Sequence, residues 1–540
     1  MADSCDATEP FRSLVLRSLA LLPPHVSELS HNDESLHLPR LAGTNVDTAV
    51  LGGLGTSIMQ HPSFLRLISQ AAPLNEWKRV VAAIQASGSL RITVLGVSPT
   101  AGAGADNTAR NTPAVGWARR LHDSTACLAK HLLNMSVRTE VHAKNAVGSD
   151  YFTWCTRRMV RPSANIVLYE MAAAQGSNSN ATTEGYKQLL RSGRKAAPHA
   201  VHVLVQWPPW HAGRESGHIG ASVAATKLDA EVLWGHRALE ILTNRSNRAG
   251  HRSYYAQHGR DIVHPGPTGH QLLAAATSLL LITRLHAARN CTNSFVPLKT
   301  ARGAARSRGS TAEQEFSDAE PARDAEERCF PSADLLPAEQ PLHGTWALRD
   351  EGARKGVRKV GLVSEQAGDK LVLRIPSLAN GTSCQGRVVG LGYLASTHPA
   401  QGEISVSCAG CGCSRIAGKY TNRGAFQFPE VNTHLQAASF GRVNVSITDI
   451  TSFTVMQMQD TPCRVVVEHS HRHPLLGGVA LQSRIRVDSL FVRSAKDSDV
   501  RTARSNPWQP HFANFMECCL QRSSSMRRVC GWFMKGNGVV

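Results

Sequence analysis

Between residues 58 and 290 the apolar positions switch repeatedly between two periods. Pro62 to Ala86 carries helical spacing, with Phe64, Leu67 and Ile68 followed by Trp77, Val80, Val81 and Ile84. After Gly88 the spacing changes. Leu90 to Gly96 (LRITVLG) is a compact run rich in β-branched residues that leads into Pro, Thr and Gly, the pattern of a buried strand entering a turn. The alternation then recurs: helical spacing over 113–133, a short strand at Val137–Val141, a helix over 150–160 and a strand at Ala164–Met171. It continues with a helix over 182–193, a strand at Ala200–Trp207, a helix over 222–243 and a long apolar-faced helix at Thr268–Arg289. The 182–193 helix opens on Thr182 and Thr183 with Glu184 in its first turn, where hydroxyl and carboxylate groups suit the unpaired N–H groups of a helix start. Strands separated by helices of this length imply βα units. The expected fold is therefore α/β, a mostly parallel sheet covered by helices on both faces.

The pattern ends near residue 290. Residues 291–340 are rich in Ala, Arg, Glu, Pro and Ser with few aliphatics and read as a linker. From 341 to 500 come short runs with turn residues between them: Lys370–Ile375, Val388–Leu394, Ile404–Ser407, Val443–Ile447, Arg464–Val467 and Arg484–Val492. This is the signature of an all-β domain, expected to be a sandwich. Residues 1–57 form a polar leader and 501–540 a basic tail with Cys518, Cys519 and Cys530. Neither shows periodicity, and both are expected to be disordered.

Composition narrows the function classes. Hydrophobic residues make up 42% of the 540 and charged residues 19%, which excludes a wholly disordered chain and supplies at least one sizeable core. Lys and Arg total 59 against 41 Asp and Glu, a formal charge of +18. The basic residues are dispersed and form no block, so a nucleic-acid partner is not expected. No run of 18 apolar residues exists, and stable membrane insertion is not expected either. Cys408, Cys411 and Cys413 cluster among the 13 cysteines, and Asn-x-Ser/Thr sequons occur at Asn134, Asn180, Asn244, Asn290, Asn380 and Asn444. Together they favour a secretory or extracellular glycoprotein with disulfides. Phe11–Leu22 is a poor signal peptide, broken by Arg17.

Candidate chemistry lies at two places. The turn after the first strand is Gly96-Val97-Ser98-Pro99-Thr100-Ala101-Gly102, which sets a serine just past the carboxyl end of a parallel strand, at the rim where such sheets bind ligands. An ordinary βα turn has similar residues. Asp261-Ile262-Val263-His264-Pro265 precedes the last helix. A hydroxyl nucleophile needs a base, and the base needs a group that fixes its tautomer, roles that an Asp three residues before a His can fill from a turn. A polar loop with a helix cap at Thr268 is the plainer alternative.

Taken in order, these pieces resemble the SGNH hydrolases, the GDSL lipase/esterase superfamily. Gly96-Val97-Ser98 matches the Gly-x-Ser turn, although Val97 stands where Asp is common. Asp261 and His264 match the Asp-x-x-His block, and Gly148 in Asn145-Ala146-Val147-Gly148-Ser149 matches the glycine after the second strand. The resemblance covers roughly residues 60–290, and the β-rich part looks like the domain that some algal or plant proteins carry after an SGNH unit. One block departs: the third strand runs into Met171-Ala172-Ala173-Ala174-Gln175, and Ala174 falls where an oxyanion-binding Asn is expected. Gln175, Asn178 and Asn180 are possible substitutes.

The resemblance implies a serine esterase that hydrolyses or transfers an acyl ester, acetyl on a carbohydrate among the candidates. Ser98 would be the nucleophile, His264 the base and Asp261 its orienting partner, with the backbone N–H groups of Ser98 and Gly148 as the oxyanion hole. No cofactor or metal is implied, the partner is a small-molecule or carbohydrate ester, and the oligomeric state is open. The alternatives are a catalytically weak or inactive glycan- or lipid-binding relative, which Ala174 and Val97 favour, and an adhesion protein whose β-domain carries the function. Trp207 and Trp210 end a strand on the same rim and either wall a substrate cleft or pack over the sheet edge. His469, His471 and His473 alternate and could share a strand face as metal ligands, against the simpler reading of loop histidines. Cys408, Cys411 and Cys413, with Cys384 and Cys463, suggest disulfides rather than zinc. Their pairing is not readable, Cys408–Cys463 and Cys384–Cys413 being two guesses. Cys127 and Cys155 are expected to be buried and inert.

Overall fold

A computed structural model describes residues 68–105, 116–145, 147–172, 180–207, 218–243, 254–256, 263–292, 328–331, 335, 344–350, 360–375, 384–396, 404–413, 446–458, 463–469 and 484–495. They fall into two compact units, 68–292 and 328–495. The leader, the tail, Asp261, Ala174, Trp210, His471 and His473 lie outside the described residues.

In the first unit the chain order is β1 (Ser69–Gln70), α1 (Leu74–Ser87), β2 (Ser89–Gly96), α2 (Trp117–Leu133), β3 (Ser136–Ala143), α3 (Ser149–Met159) and β4 (Ile166–Glu170). Then come α4 (Asn180–Ala196), β5 (Val201–Gln206), α5 (His218–Lys227), β6 (Glu231–Trp234), α6 (Gly235–Thr243) and α7 (Pro267–Thr292). The sheet order is β1-β6-β5-β4-β2-β3. Strands β2 to β6 run parallel, and only β1 is antiparallel. One face of the sheet (Ile92, Val94, Leu168, Val203) packs in a single core with Trp77 of α1, Trp117 of α2 and Leu280 of α7. The other face meets α4, where Tyr186 donates to Gln206 and Gly193 lies close against the Tyr169 hydroxyl. Tyr169 in turn pairs with the buried His202 at 2.8 Å. The α/β layer fold predicted from the alternating periods is the fold observed.

The predicted helix over 222–243 is not continuous. Asp229 takes a left-handed conformation (φ 44°) and closes α5, and the chain then enters the short strand β6. Its first residue, Glu231, is fully buried yet charged, which hides the strand from an apolar count. The Glu231 carboxylate accepts from the Ala72 N–H (3.0 Å), Trp77 Nε1 (3.1 Å) and Arg284 Nε (2.9 Å). Burial pushes its pKa up, and Arg284 and these donors oppose that rise. A buried charge persists only with such a full set of partners. Strand, first helix and last helix are thereby tied at one point. Helix α7 is long and apolar enough, over Pro267–Asn290, to cross a membrane by length and composition. Here most of that stretch is buried and its leucines fill the core.

The second unit comprises β7 (Arg328–Pro331), β8 (Ala347–Asp350), β9 (Val360–Ser364), β10 (Lys370–Arg374), β11 (Cys384–Ser396) and β12 (Ile404–Ala409). After these come β13 (Gly412–Cys413), β14 (Ser446–Met458), β15 (Arg464–His469) and β16 (Ile485–Ser494). A three-stranded sheet, β10-β15-β12, and a seven-stranded sheet, β13-β14-β11-β16-β9-β8 with β7 on β16, are both antiparallel. Leu371, Leu373, Val465 and Val467 of the first share a core with Val389, Leu391, Phe453 and Val487 of the second. This is a sandwich. Strand β7 lies within the stretch read as linker: four residues, two of them Arg and Pro, are too few to show a period.

Cys408 is bonded to Cys413 and Cys411 to Cys463, so both guessed pairings are corrected. Cys408, Cys411 and Cys413 are brought together by the turn between β12 and β13, and the sequence has no means of showing which of them faces Cys463. Cys155 is buried, as expected, but is disulfide-bonded.

One polar cluster holds the turn between β9 and β10. Buried Asp369 accepts from the Thr345 N–H and hydroxyl and from the Ser364 hydroxyl, whose oxygen in turn lies 3.0 Å from His469 Nδ1. Burial raises the Asp369 pKa, but the donors from Thr345 and Ser364 and the charge of His469 outweigh it and hold the carboxyl below its ordinary value. A depressed carboxyl contributes stability above its unfolded pKa of about 3.9, and loses it as the pH falls through the lower folded value. Asp369→Asn is therefore expected to lower the melting temperature of the β-domain at pH 7. The gap to the parent should narrow as the pH drops below about 4. Thermal melts across that range check it, and a gap that does not change with pH would assign the loss to packing alone.

Candidate active site

Serine 98 sits just beyond β2, which lies between β4 and the edge strand β3, at the carboxyl rim of the parallel sheet. The chain leaves the strand through the Val97 N–H, bonded to the Glu170 carbonyl at 3.0 Å. It then coils through Ala101 N–H to Val97 O and Ala103 N–H to Ser98 O. Gly96 makes this turn possible: a Cβ there would lie 1.8 Å from Thr100 Oγ1. Thr100 instead folds back under the strand end, donates to the buried Glu170 carboxylate (3.1 Å) and accepts from Trp117 Nε1 (3.2 Å). The glycine of the Gly96-Val97-Ser98 motif thus seats the threonine that locks the turn.

Histidine 264 arrives from the other end of the domain. Its carbonyl accepts from Ala256 N–H (2.9 Å), and the Gly266 N–H donates to Tyr254 (2.7 Å), so a short segment braces the histidine before α7 begins. Gly104, at φ 84°, brings the serine turn against this segment. A Cβ on it would be 2.4 Å from the Pro265 carbonyl oxygen and 2.9 Å from His264 Cβ. The result is a hydrogen bond of 2.8 Å between His264 Nε2 and Ser98 Oγ, across 166 residues of sequence, with both side chains half-buried. Of the residues singled out in the sequence, this pair is brought into contact.

Gly148 caps α3, directly after the strand neighbouring β2, and so shares the rim with Ser98. A Cβ on Gly148 would meet nothing within 4 Å. Among the described residues, no backbone acceptor meets the N–H of Ser98 or of Gly148. The α3 N-terminus adds its positive end to that opening. Trp207 takes the packing alternative: it is fully buried against Tyr255 (5.4 Å between ring centroids), Gly235 and Gly269, and offers no surface to a cleft. A cavity of about 250 Å³ is lined by Thr100 and Ala101 of the serine turn with Ala118, Arg119, His122 and Val141.

Sequence reasoning missed Thr100, Gly104, Glu170 and His270. His270 is fully buried and bridges two segments, accepting from the Trp117 N–H (3.1 Å) and meeting the Ala103 carbonyl (3.1 Å). Burial drives its pKa down to about 3, so the ring is neutral. A second Ser, His and Asp group, Ser364 with His469 and Asp369, is unsuited to nucleophilic chemistry. There the serine donates its proton to the carboxylate, and Ser364 and His469 are fully buried. His469 is thus a strand residue with a bonding partner, not a loop histidine.

No family model matches the chain, and no curated protein matches it. Solved structures do. A two-domain esterase active on acetylated mannans aligns over 80% of this chain and 98% of its own, at 12% identity and a TM-score of 0.47. A peptidoglycan O-acetylesterase aligns over 40% of this chain and 99% of its own, at 9% identity and a TM-score of 0.32. A lipase/acylhydrolase from Enterococcus faecalis aligns over 36% and 96%, at 15% identity and a TM-score of 0.27. The fold is a parallel α/β/α sheet with the Gly-x-Ser turn after β2 and the histidine ahead of the last helix of that unit, followed by a β-rich domain.

Proposed function

We propose that the chain is a serine esterase that cleaves or transfers an acyl ester through Ser98, His264 and Asp261. The 2.8 Å contact between Ser98 Oγ and His264 Nε2, at the carboxyl rim of a parallel sheet, carries this reading. In the proposed reaction His264 Nε2 takes the hydroxyl proton as Oγ attacks the ester carbonyl. Asp261 holds the other ring nitrogen, and the N–H groups of Ser98 and Gly148 meet the developing oxyanion. His264 then returns the proton to the leaving alcohol. Water, or a sugar hydroxyl if the protein is a transferase, takes the acyl group from Ser98. Ala174 in place of an oxyanion Asn predicts slow turnover, since one such donor is worth about 10²–10³ in rate. The β-domain disulfides Cys408–Cys413 and Cys411–Cys463 fit an oxidising compartment and a carbohydrate ester outside the cell.

The test is hydrolysis of a small activated acetyl ester, and of acetylated mannan, by the purified protein beside Ser98→Ala. Acetate release that depends on Ser98 supports the reading. Equal background in both proteins would leave the site as a binding cleft, the alternative that Ala174 favours.

A further inference from the structure

We infer that His270 is a positioning residue, which sets the distance between the Ser98 turn and the His264 segment; the inference rests on the esterase reading. Five residues separate His264 from His270, and these, Pro265 to Gly269, pass without a gap into α7, with His270 N–H bonded to the Gly266 carbonyl at 2.9 Å. The two histidines therefore move as one piece. The His270 ring faces the opposite way from His264 in role: its Nδ1 accepts the first N–H of α2, from Trp117, which obliges the proton to sit on Nε2 and to be donated to the Ala103 carbonyl. The Ala103 N–H is in turn bonded to the Ser98 carbonyl at 2.9 Å.

A closed ring of contacts results. It runs from Ser98 through Ala103 to His270, along the start of α7 back to His264, and from His264 Nε2 to Ser98 Oγ. Gly104, the next residue after Ala103, is the point where the same turn touches His264 Cβ and Pro265, so the ring is braced from both sides. Burial keeps His270 neutral and the Trp117 N–H fixes its tautomer, so the link persists while His264 gains and loses a proton. Trp117 adds a second anchor, because its indole holds Thr100 while its backbone holds His270. His270 touches no reacting atom. It acts through the geometry of two residues that do.

Two substitutions and one spectrum test this. His270→Leu removes both bonds at similar volume, and His270→Gln can present one acceptor and one donor in the same place. With an activated acetyl ester, below the melting temperature of every variant, His270→Leu is expected to lose about 10–10² in kcat with KM nearly unchanged. His270→Gln should recover most of it. The rate at which a serine-directed fluorophosphonate labels Ser98 should fall and recover in parallel. A folded His270→Leu with parental kcat, or a loss confined to KM, would overturn the inference. If His270→Leu does not fold, His270→Gln and histidine ¹⁵N spectra of the parent decide. The ring must show the Nε2–H tautomer throughout, from about pH 5 to 8, and a ring that titrates there would overturn the link. A parent protein without Ser98-dependent turnover fails the esterase reading instead, and the spectra still report on the bond.

Discussion

Ser98→Ala and His264→Ala are each expected to lower kcat for an activated acetyl ester by about 10³–10⁵, with the double variant no slower than the worse single one. On the proposed esterase reading the nucleophile and its base form one working unit: without the proton acceptor at 2.8 Å the hydroxyl stays a weak nucleophile, and without the hydroxyl the base has nothing to activate. Removing either therefore removes the whole pathway, and what remains is binding plus the backbone oxyanion donors. The loss is placed below the largest known for such triads because Ala174 leaves less stabilisation to forfeit from the start. Neither substitution threatens the fold, since both side chains are half-buried and neither belongs to the core. Steady-state rates, with thermal melts of all three variants, check the claim. Losses that multiply in the double variant would show Ser98 and His264 acting separately, and no loss at all would leave a binding protein with an esterase's turn.

The two pieces of this site are legible in the sequence for different reasons than the parts that escape. Ser98 comes after a run, Leu90–Gly96, whose β-branched residues specify a strand on their own, and a serine after such a strand lies on a rim whatever the rest of the fold does. His264 is marked by its spacing to Asp261 and by the helix beyond it. His270 has no such signature: its bonds reach the backbone of Trp117 and Ala103, more than 150 residues away, and nothing in Gly269-His270-Gln271 declares them. Trp207 is placeable from the sequence. It continues the parity of Val201, Val203 and Val205, which face the core of α7, so a period of two already aims it inward. The strand β6 escapes because Glu231 is charged, and only Arg284, Trp77 and Ala72 explain its burial. Long-range polar partners, not local propensity, account for the misses of His270 and β6. In the β-domain the miss is one of length: β14 runs from Ser446 to Met458, well past the apolar run that announces it, because thirteen residues of β11 provide a ladder to pair with.

Gly104→Ala is expected to cost about 10² in kcat although the residue lies outside the reacting pair. Two effects combine. At φ 84° an alanine carries roughly 1–2 kcal/mol of backbone strain. Its Cβ would also stand 2.4 Å from the Pro265 carbonyl oxygen and 2.9 Å from His264 Cβ, distances at which one of the two segments must move. The serine turn is the stiffer side, held by Thr100 on Glu170 and by Ala103 on Ser98, whereas the His264 segment is braced chiefly by Tyr254 and Ala256. Movement thus falls on His264, and a displacement near 1 Å at the base is enough for a loss of this size. The substitution should also lower the melting temperature, because the strain and the clash exist in the folded state alone. The background of His264→Ala separates the two. There Gly104→Ala should still lower the melting temperature, but should leave the small remaining rate within about threefold, since no imidazole is left to misplace. If instead the rate falls by the same factor with and without the imidazole, the glycine does not act through His264, and the close approach of the two segments serves stability only.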